Sequence, residues 1–294
     1  MYGQTKNSSF WLGIIPTTWL VLFFIAPLVI VLQISFSETV FSVPPYTEIF
    51  AWTKTHFLQI TLNLQNYFSL IKDSYYKNAF LNSFAISFMS TFICIVIGYM
   101  IAYAISQVSP RRRPLLILLV SISFWTSLLI RVYSWMNLLS PQGFVNSLLM
   151  KLGVIDSHIH FLGNYYAVSL GIVFCYLPFV IFPVYAVLEK VSASCIEAAE
   201  DLGAHPFRVF WAITVPLSKS GILTGGVLVL AATIGEFVIP ELLGGPDAIT
   251  IGRVLWMEFF NNLDWPMACA MSIVLAFFTI IPILFLKDKS VIVN

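Results

Sequence analysis

The sequence predicts an all-α integral membrane protein with six transmembrane helices, and three observations predict it. Of 294 residues, 59% are hydrophobic and only 10% are charged, against about 25% charged in a typical soluble domain. The apolar residues also gather into long runs. Phe10–Ile34, Asn78–Pro110, Pro114–Ile130, Phe161–Leu188 and Trp265–Leu286 each contain no Asp, Glu, Lys or Arg, and a bilayer core of about 30 Å needs roughly 20 such residues in a helix. Finally, a shorter sixth run, Gly221–Gly235, reaches full length by borrowing Val215–Ser220 on one side and Phe237–Pro240 on the other.

The first run is longer than the roughly 7–15 apolar residues of a signal peptide, and no small-residue cleavage site follows it. Residues 1–35 therefore read as an N-terminal region with a retained first helix. Residues 36–77 form an external segment, and its Val40–Tyr75 stretch is rich in aromatic residues and Pro, so it is expected to pack on the membrane face. Residues 78–286 carry the other five helices, with a cytoplasmic loop at 190–220, and 287–294 form a tail. The cysteines (Cys94, Cys175, Cys195, Cys269) are far apart, which offers neither a disulfide framework nor a metal site. His158 and His160 have no further ligands near them in sequence.

Six spans place both termini on one side. Assigning that side to the cytoplasm puts Lys6, Arg111, Arg112, Arg113, Lys190, Arg208, Lys219, Lys287 and Lys289 inside. Only Lys54, Lys72, Lys77, Lys151 and Arg253 then lie outside, in longer loops. The positive-inside rule supports this orientation, with Arg111–Arg113 as its anchor. The external loops carry Glu38, Glu48, Asp73, Asp156, Glu241, Asp247, Glu258 and Asp264. That mildly negative face suits a cationic cargo, and it equally suits acids that are simply unconstrained outside. There is no G-x-x-x-x-G-K-[ST] phosphate loop, so this chain does not hydrolyse ATP by that route. Neither a nucleophile–base arrangement nor an internal repeat is visible.

The internal segment Glu189–Ser220 is the informative one. Ser194 is expected to cap a helix whose first turn holds Glu197. Gly203 ends that helix, and Pro206 opens the next at a position where its missing N–H costs little. Phe207, Phe210, Trp211 and Ile213 then recur at helical spacing as an apolar face.

The series Glu197-Ala198-Ala199, three residues, Gly203, nine residues, Ile213, two residues and Pro216 resembles the EAA loop of bacterial ABC importer permeases, E-A-A-x₃-G-x₉-I-x-L-P, with Val215 in place of Leu. The resemblance runs from about Phe10 to Leu286 and implies the type I ABC importer permease fold, with this loop seated as a coupling helix in a separate ATPase. Phe124–Tyr133 and Leu177-Pro178-Phe179 are similar to polyamine permeases. Gly235–Asp247, Ile251–Leu255 and Asp264-Trp265-Pro266 are similar to putrescine-type subunits. The resemblance implies putrescine import by alternating access in the bacterial inner membrane. Its partners would be a second homologous permease, a cytoplasmic ATPase dimer that binds ATP and Mg, a periplasmic polyamine-binding protein and the lipid bilayer. It implies no cofactor in this chain and no nucleic-acid partner. Spermidine, or another small cargo, is the competing reading within the class, and a stand-alone secondary transporter is the one outside it.

A dicationic cargo needs carboxylates and aromatic faces. Glu236 stands at the outer end of the fifth span in chain order, just past Gly221–Gly235, in apolar surroundings, where an ionisable group usually faces a cavity or a partner. Arg131, at the outer end of the third run, is its candidate partner, either across a substrate path or in a structural salt bridge. Trp125 and Tyr133 read as path residues or as an interfacial aromatic belt, with Trp135 beside them. Glu241 is a further path candidate, and Asp247, in a Gly/Pro turn, is a candidate contact for the binding protein. Gly221 and Gly225 make a G-x-x-x-G face that lets helices approach closely.

Overall fold

The computed structural model describes residue 14 and residues 16–47, 50–52, 58–60, 62–246 and 248–290; Asp247 lies outside them. Among the described residues, three helices are long and apolar enough to cross a bilayer alone: α1 (Pro16–Ser35), α3 (Ser74–Gln107) and the Trp265–Pro282 part of the last helix. Three more spans appear when each of three bent helix pairs is taken as one, which gives six. The chain divides into two compact units, one of residues up to Lys77 with Leu255–Phe277, the other of Asn78–Val254 with Phe278 onward.

In the first unit, α1 contains a π-turn at Val21–Ile25 and buries none of those five side chains. Beyond it come two three-residue strands, β1 (Phe50–Trp52) and β2 (Leu58–Ile60), antiparallel with Ala51 opposite Gln59. They are a small β addition to an otherwise helical set of described residues. Helix α2 (Gln65–Lys72) follows. Its Asn66 amide donates to the Ser35 and Ser37 carbonyls, closing the turn that leaves α1. The segment after α1 is also tied within its unit to the start of the last helix: Thr39 Oγ1 donates to Asp264 Oδ1 at 2.6 Å, and the rings of Tyr46 and Trp265 lie 6.2 Å apart.

The second unit continues α3 and adds α4 (Arg113–Trp125), α5 (Leu128–Leu139), α6 (Phe144–Lys151), α7 (Tyr165–Tyr176), α8 (Pro178–Leu188), α9 (Ala193–Asp201), α10 (Pro206–Leu217), α11 (Lys219–Ile234), α12 (Val238–Leu243) and the first residues of α13 (Ile251–Trp256). The last helix, α14, is Trp265–Ser290. Glycines set the spacing of this core. A Cβ on Gly225 would sit 2.9 Å from Val180 Cα, one on Gly221 2.8 Å from the Pro183 carbonyl oxygen, and one on Gly98 2.9 Å from Val180 Cβ. Helix α11 thus closes on α8 at backbone contact, as the G-x-x-x-G spacing predicts, and α3 meets the Val180 side chain at Gly98. Arg113 donates to the Ser106 and Val108 carbonyls at 2.6 and 2.9 Å, so one member of the basic triplet satisfies the open end of α3.

Two sequence expectations change here. The third run, Pro114–Ile130, is not one helix: α4 stops at Trp125, Thr126 and Ser127 are extended, and the next helical stretch leaves at 90°. At about 1.5 Å per residue, α4 covers roughly 20 Å, less than a bilayer core. The short Gly221–Gly235 run does not borrow from both flanks. A 63° bend at Ser218 separates Val215–Leu217 from α11, and α11 stops before Gly235, leaving Phe237 outside any helix and Val238–Pro240 in α12. The bend is held where Ser218 Oγ bonds the Thr214 and Val215 carbonyls and meets Tyr99 Oη at 3.1 Å.

Candidate functional site

The loop between α8 and α11 forms two short helices joined by a tight turn. Gly203 carries it, with φ +82°. That left-handed conformation costs about 1–2 kcal/mol for a residue with a Cβ. Around it, the Gly203 N–H donates to Glu200 O at 2.8 Å and the Ala204 N–H to Ala199 O at 3.1 Å, the paired bonds of a Schellman cap. The small residue at 199 therefore supplies an acceptor for the cap that Gly203 completes. Nothing lies within 4 Å of a Cβ built on Gly203, so its requirement is conformational and not spatial. His205 then caps α10, its Nδ1 accepting from the Phe207 N–H, with Pro206 as first helical residue.

Two local expectations for this loop are corrected. The N-cap is Ser192, whose Oγ bonds Ser194 Oγ, and Glu197 lies beyond the first turn. Ser192 has the extended backbone that an N-cap needs (ψ 126°). The apolar face of α10 is also split. A π-turn at Phe210–Thr214 adds a residue to the turn and shifts the register. Phe207 and Trp211 point outward, 69% and 57% exposed, while Phe210 packs edge-on against Tyr99 and Tyr103. Glu197, Ala198, Gly203 and Pro216 are exposed; Ala199 and Ile213 are half-buried.

At the other end of α11, three helix interruptions converge. The first is Thr126–Ser127 between α4 and α5, the second the 44° joint at Leu177 between α7 and α8, and the third Gly235–Phe237 between α11 and α12. Arg131, just past the first, donates from Nη1 to the Cys175 carbonyl at 3.0 Å. Tyr176, next to Cys175, donates its phenolic hydroxyl to Glu236 Oε2. Glu236 Oε1 accepts from the Val238 N–H at 3.0 Å, which caps α12. Phe179 stacks on Tyr176 with centroids 5.8 Å apart and meets Phe124 edge-on at 5.1 Å. Interrupted backbone at membrane depth is tolerated where it is buried in protein or lines a cavity.

The expected Arg131–Glu236 ion pair does not form. Each group instead bonds one of two consecutive residues, Cys175 and Tyr176, and the Arg131 Nε is buried without a partner. The break after Trp125 turns α5 away from the line of α4, so a pairing inferred from equal depth on straight helices fails. Glu241 has a different partner, Arg253 Nε at 2.6 Å, and Arg253 also donates to the Gly245 carbonyl. Trp125 is 80% exposed and Tyr133 is exposed on the first turns of α5, while Trp135 packs edge-on against Phe174. Tyr176, Phe179 and Phe124 were missed as site residues because each lies in an apolar run where an aromatic residue is ordinary. The one available signal was Leu177-Pro178, since a proline disfavours helix at the residue before it.

Gly252 keeps the third interruption closed. A Cβ there would lie 2.5 Å from Gly235 O and 2.7 Å from Glu236 O. Gly252→Ala is therefore expected to cost about 1–3 kcal/mol, read as a lowered melting temperature of the detergent-solubilised protein. An unchanged melting temperature would show that α13 can retreat freely.

Comparison with known proteins adds the family. A model described as "binding-protein-dependent transport system inner membrane component" matches residues 9–286. A Haemophilus influenzae protein, the spermidine/putrescine transport system permease protein PotB, is 39% identical over 169 residues, 58% of this chain and 59% of that one. The protein of the same name from Salmonella typhimurium strain SL1344 is 33% identical over 273 residues, 92% of this chain and 90% of its own. Among solved structures, a bacterial ABC transporter involved in importing the acidic polysaccharide alginate matches 97% of this chain and 96% of its own with a TM-score of 0.71 and 19% identity. That last likeness speaks to fold alone.

Proposed function

This chain belongs to the family of binding-protein-dependent transport system inner membrane components, and from that premise we propose that it is one permease subunit of an ATP-driven polyamine importer. Putrescine is the cargo, delivered by a periplasmic binding protein. The observation that carries the cargo class is the convergence of three helix interruptions on Glu236, a carboxylate beside stacked aromatic rings with no basic side chain paired to it among the described residues. Carboxylate with aromatic face is the chemistry that an alkylammonium seeks, and relatives named for spermidine and putrescine support the same class.

The loop at Glu197–Pro216 is the contact for the ATPase dimer, which binds ATP and Mg. Exposed Phe207 and Trp211 beside the Gly203 turn give it a rigid, partly apolar tip. A second, homologous permease completes the channel, and the termini lie in the cytoplasm. The loaded binding protein docks outside at loops that include Asp247. ATP-driven closure of the ATPases shifts the permease pair to an outward-open state, and hydrolysis returns it. Differential affinity of ATP for the two states supplies the shift. Spermidine is the second reading, since the names of the relatives carry it beside putrescine.

The test is ATP hydrolysis by the reconstituted complex with its binding protein. Putrescine is expected to stimulate it several-fold over the unloaded binding protein. Stimulation by a sugar or an anion, and by no polyamine, would overturn the cargo; stronger stimulation by spermidine would select the second reading.

A further inference from the structure

Tyr176 ends α7, at the joint that Leu177-Pro178 makes with α8. Its ring has an apolar task, stacking on Phe179, which in turn meets Phe124. A phenylalanine would perform that task equally well. The hydroxyl has a separate one: it donates to Glu236 Oε2, while the Val238 N–H holds Oε1. An ionised carboxylate offers about four acceptor sites on its two oxygens. Two donors, one on each oxygen, fix its plane and leave an acceptor site on each oxygen free. Glu236 would otherwise swing about its side-chain torsions, since it stands in a break between helices and has no ion-pair partner among the described residues.

We propose that Tyr176 is the positioning residue of this site, its hydroxyl holding Glu236 in the one orientation that meets a passing primary ammonium, with Phe179 and Phe124 as the wall along which the methylene stem runs. This rests on the reading of Glu236 as a cargo contact. It adds a division of labour within one side chain: the ring of Tyr176 belongs to the wall and the hydroxyl to selection. Capture from dilute solution falls to the binding protein, so the effect of the hydroxyl appears in how many molecules cross per ATP consumed.

The experiment is a double-mutant cycle on the complete complex in proteoliposomes, measuring uptake of labelled putrescine and ATP hydrolysis on the same vesicles. The variants are Tyr176→Phe, Glu236→Gln and the two together. Tyr176→Phe is expected to lower putrescine moved per ATP by about tenfold, the scale of losing one hydrogen bond to a charged group. Adding it to Glu236→Gln is expected to have no further effect, because groups that act through one another are not additive. Wild-type transport by Tyr176→Phe overturns the proposal, and so do two losses that multiply in the double variant, the signature of independent structural roles. Wild-type transport by Glu236→Gln overturns the underlying reading of Glu236 and the proposal with it. Loss in Glu236→Gln alone sinks only the role of Tyr176.

Discussion

Gly203→Val is expected to abolish ATP hydrolysis driven by the loaded binding protein, with the permease still inserted and folded. Gly203 holds φ +82° at the end of α9, and a β-branched residue there meets its Cβ clash with the following carbonyl. The strain is relieved by opening the turn, which breaks the bonds from Gly203 to Glu200 and from Ala204 to Ala199. A two-helix tip then becomes a flexible hinge, and roughly 2–3 kcal/mol of strain and lost capping lowers the seated population by about 30- to 150-fold. Gly203→Asn is the control. Asparagine enters the left-handed region readily, and no atom within 4 Å obstructs its Cβ, so that variant should keep most of the activity. Equal activity of the Val and Asn variants would show that the turn geometry is irrelevant to coupling.

The second large effect is expected at Gly225. Its missing Cβ lets α11 rest on α8 at Val180 Cα, with the Phe179 carbonyl oxygen 3.2 Å from where the Cβ would stand. These are backbone atoms and cannot rotate aside. Gly225→Ala must push the helices apart, at about 1–3 kcal/mol, and Gly225→Leu should leave no monodisperse protein after detergent extraction. Gly226 is the internal comparison: its Cβ would meet Ile95 Cδ1 at 3.0 Å, the far end of a flexible side chain. Gly226→Ala should therefore lower the melting temperature less than Gly225→Ala does, in size-exclusion assays of heated extracts. The reverse order would mean that α11 and α8 are not held by this contact.

What the sequence made legible was what periodicity, glycine and proline report. Charge-free runs marked the apolar stretches, Gly203 and Pro206 placed the turn inside the 190–220 loop, and Gly221 with Gly225 marked the close helix contact. Breaks without such residues stayed hidden. Nothing in Phe124-Trp125-Thr126-Ser127-Leu128 forces a helix to stop, because Thr and Ser are tolerated in membrane helices and the 90° turn is decided by tertiary packing. The π-turn at Phe210–Thr214 hid for the same reason, and it moved Phe210 from the exposed face to the aromatic cluster with Tyr99 and Tyr103. The partner of Glu236 could not be chosen by depth alone. Once α5 departs from the line of α4, Arg131 reaches a carbonyl, and the carboxylate is met by a tyrosine from the middle of an unbroken apolar run.

Helix α11 has the bend at Ser218 at one end and Glu236 just past the other, about 24 Å of rod by its rise per residue. At Gly221 and Gly225 its contact with α8 is made by hydrogen in place of a side chain, so those two positions offer no knob to ratchet over if it moves lengthwise. Tyr176 belongs to the α7–α8 joint and Glu236 to the break two residues past the end of the rod, so lengthwise travel of the rod against α8 would stretch or release the bond between them. On the proposed function, one rigid helix would then join the cargo contact at one end to the ATPase contact at the other. By linkage, a ligand held on the free acceptor sites of that carboxylate opposes the travel as strongly as the travel alters its own binding.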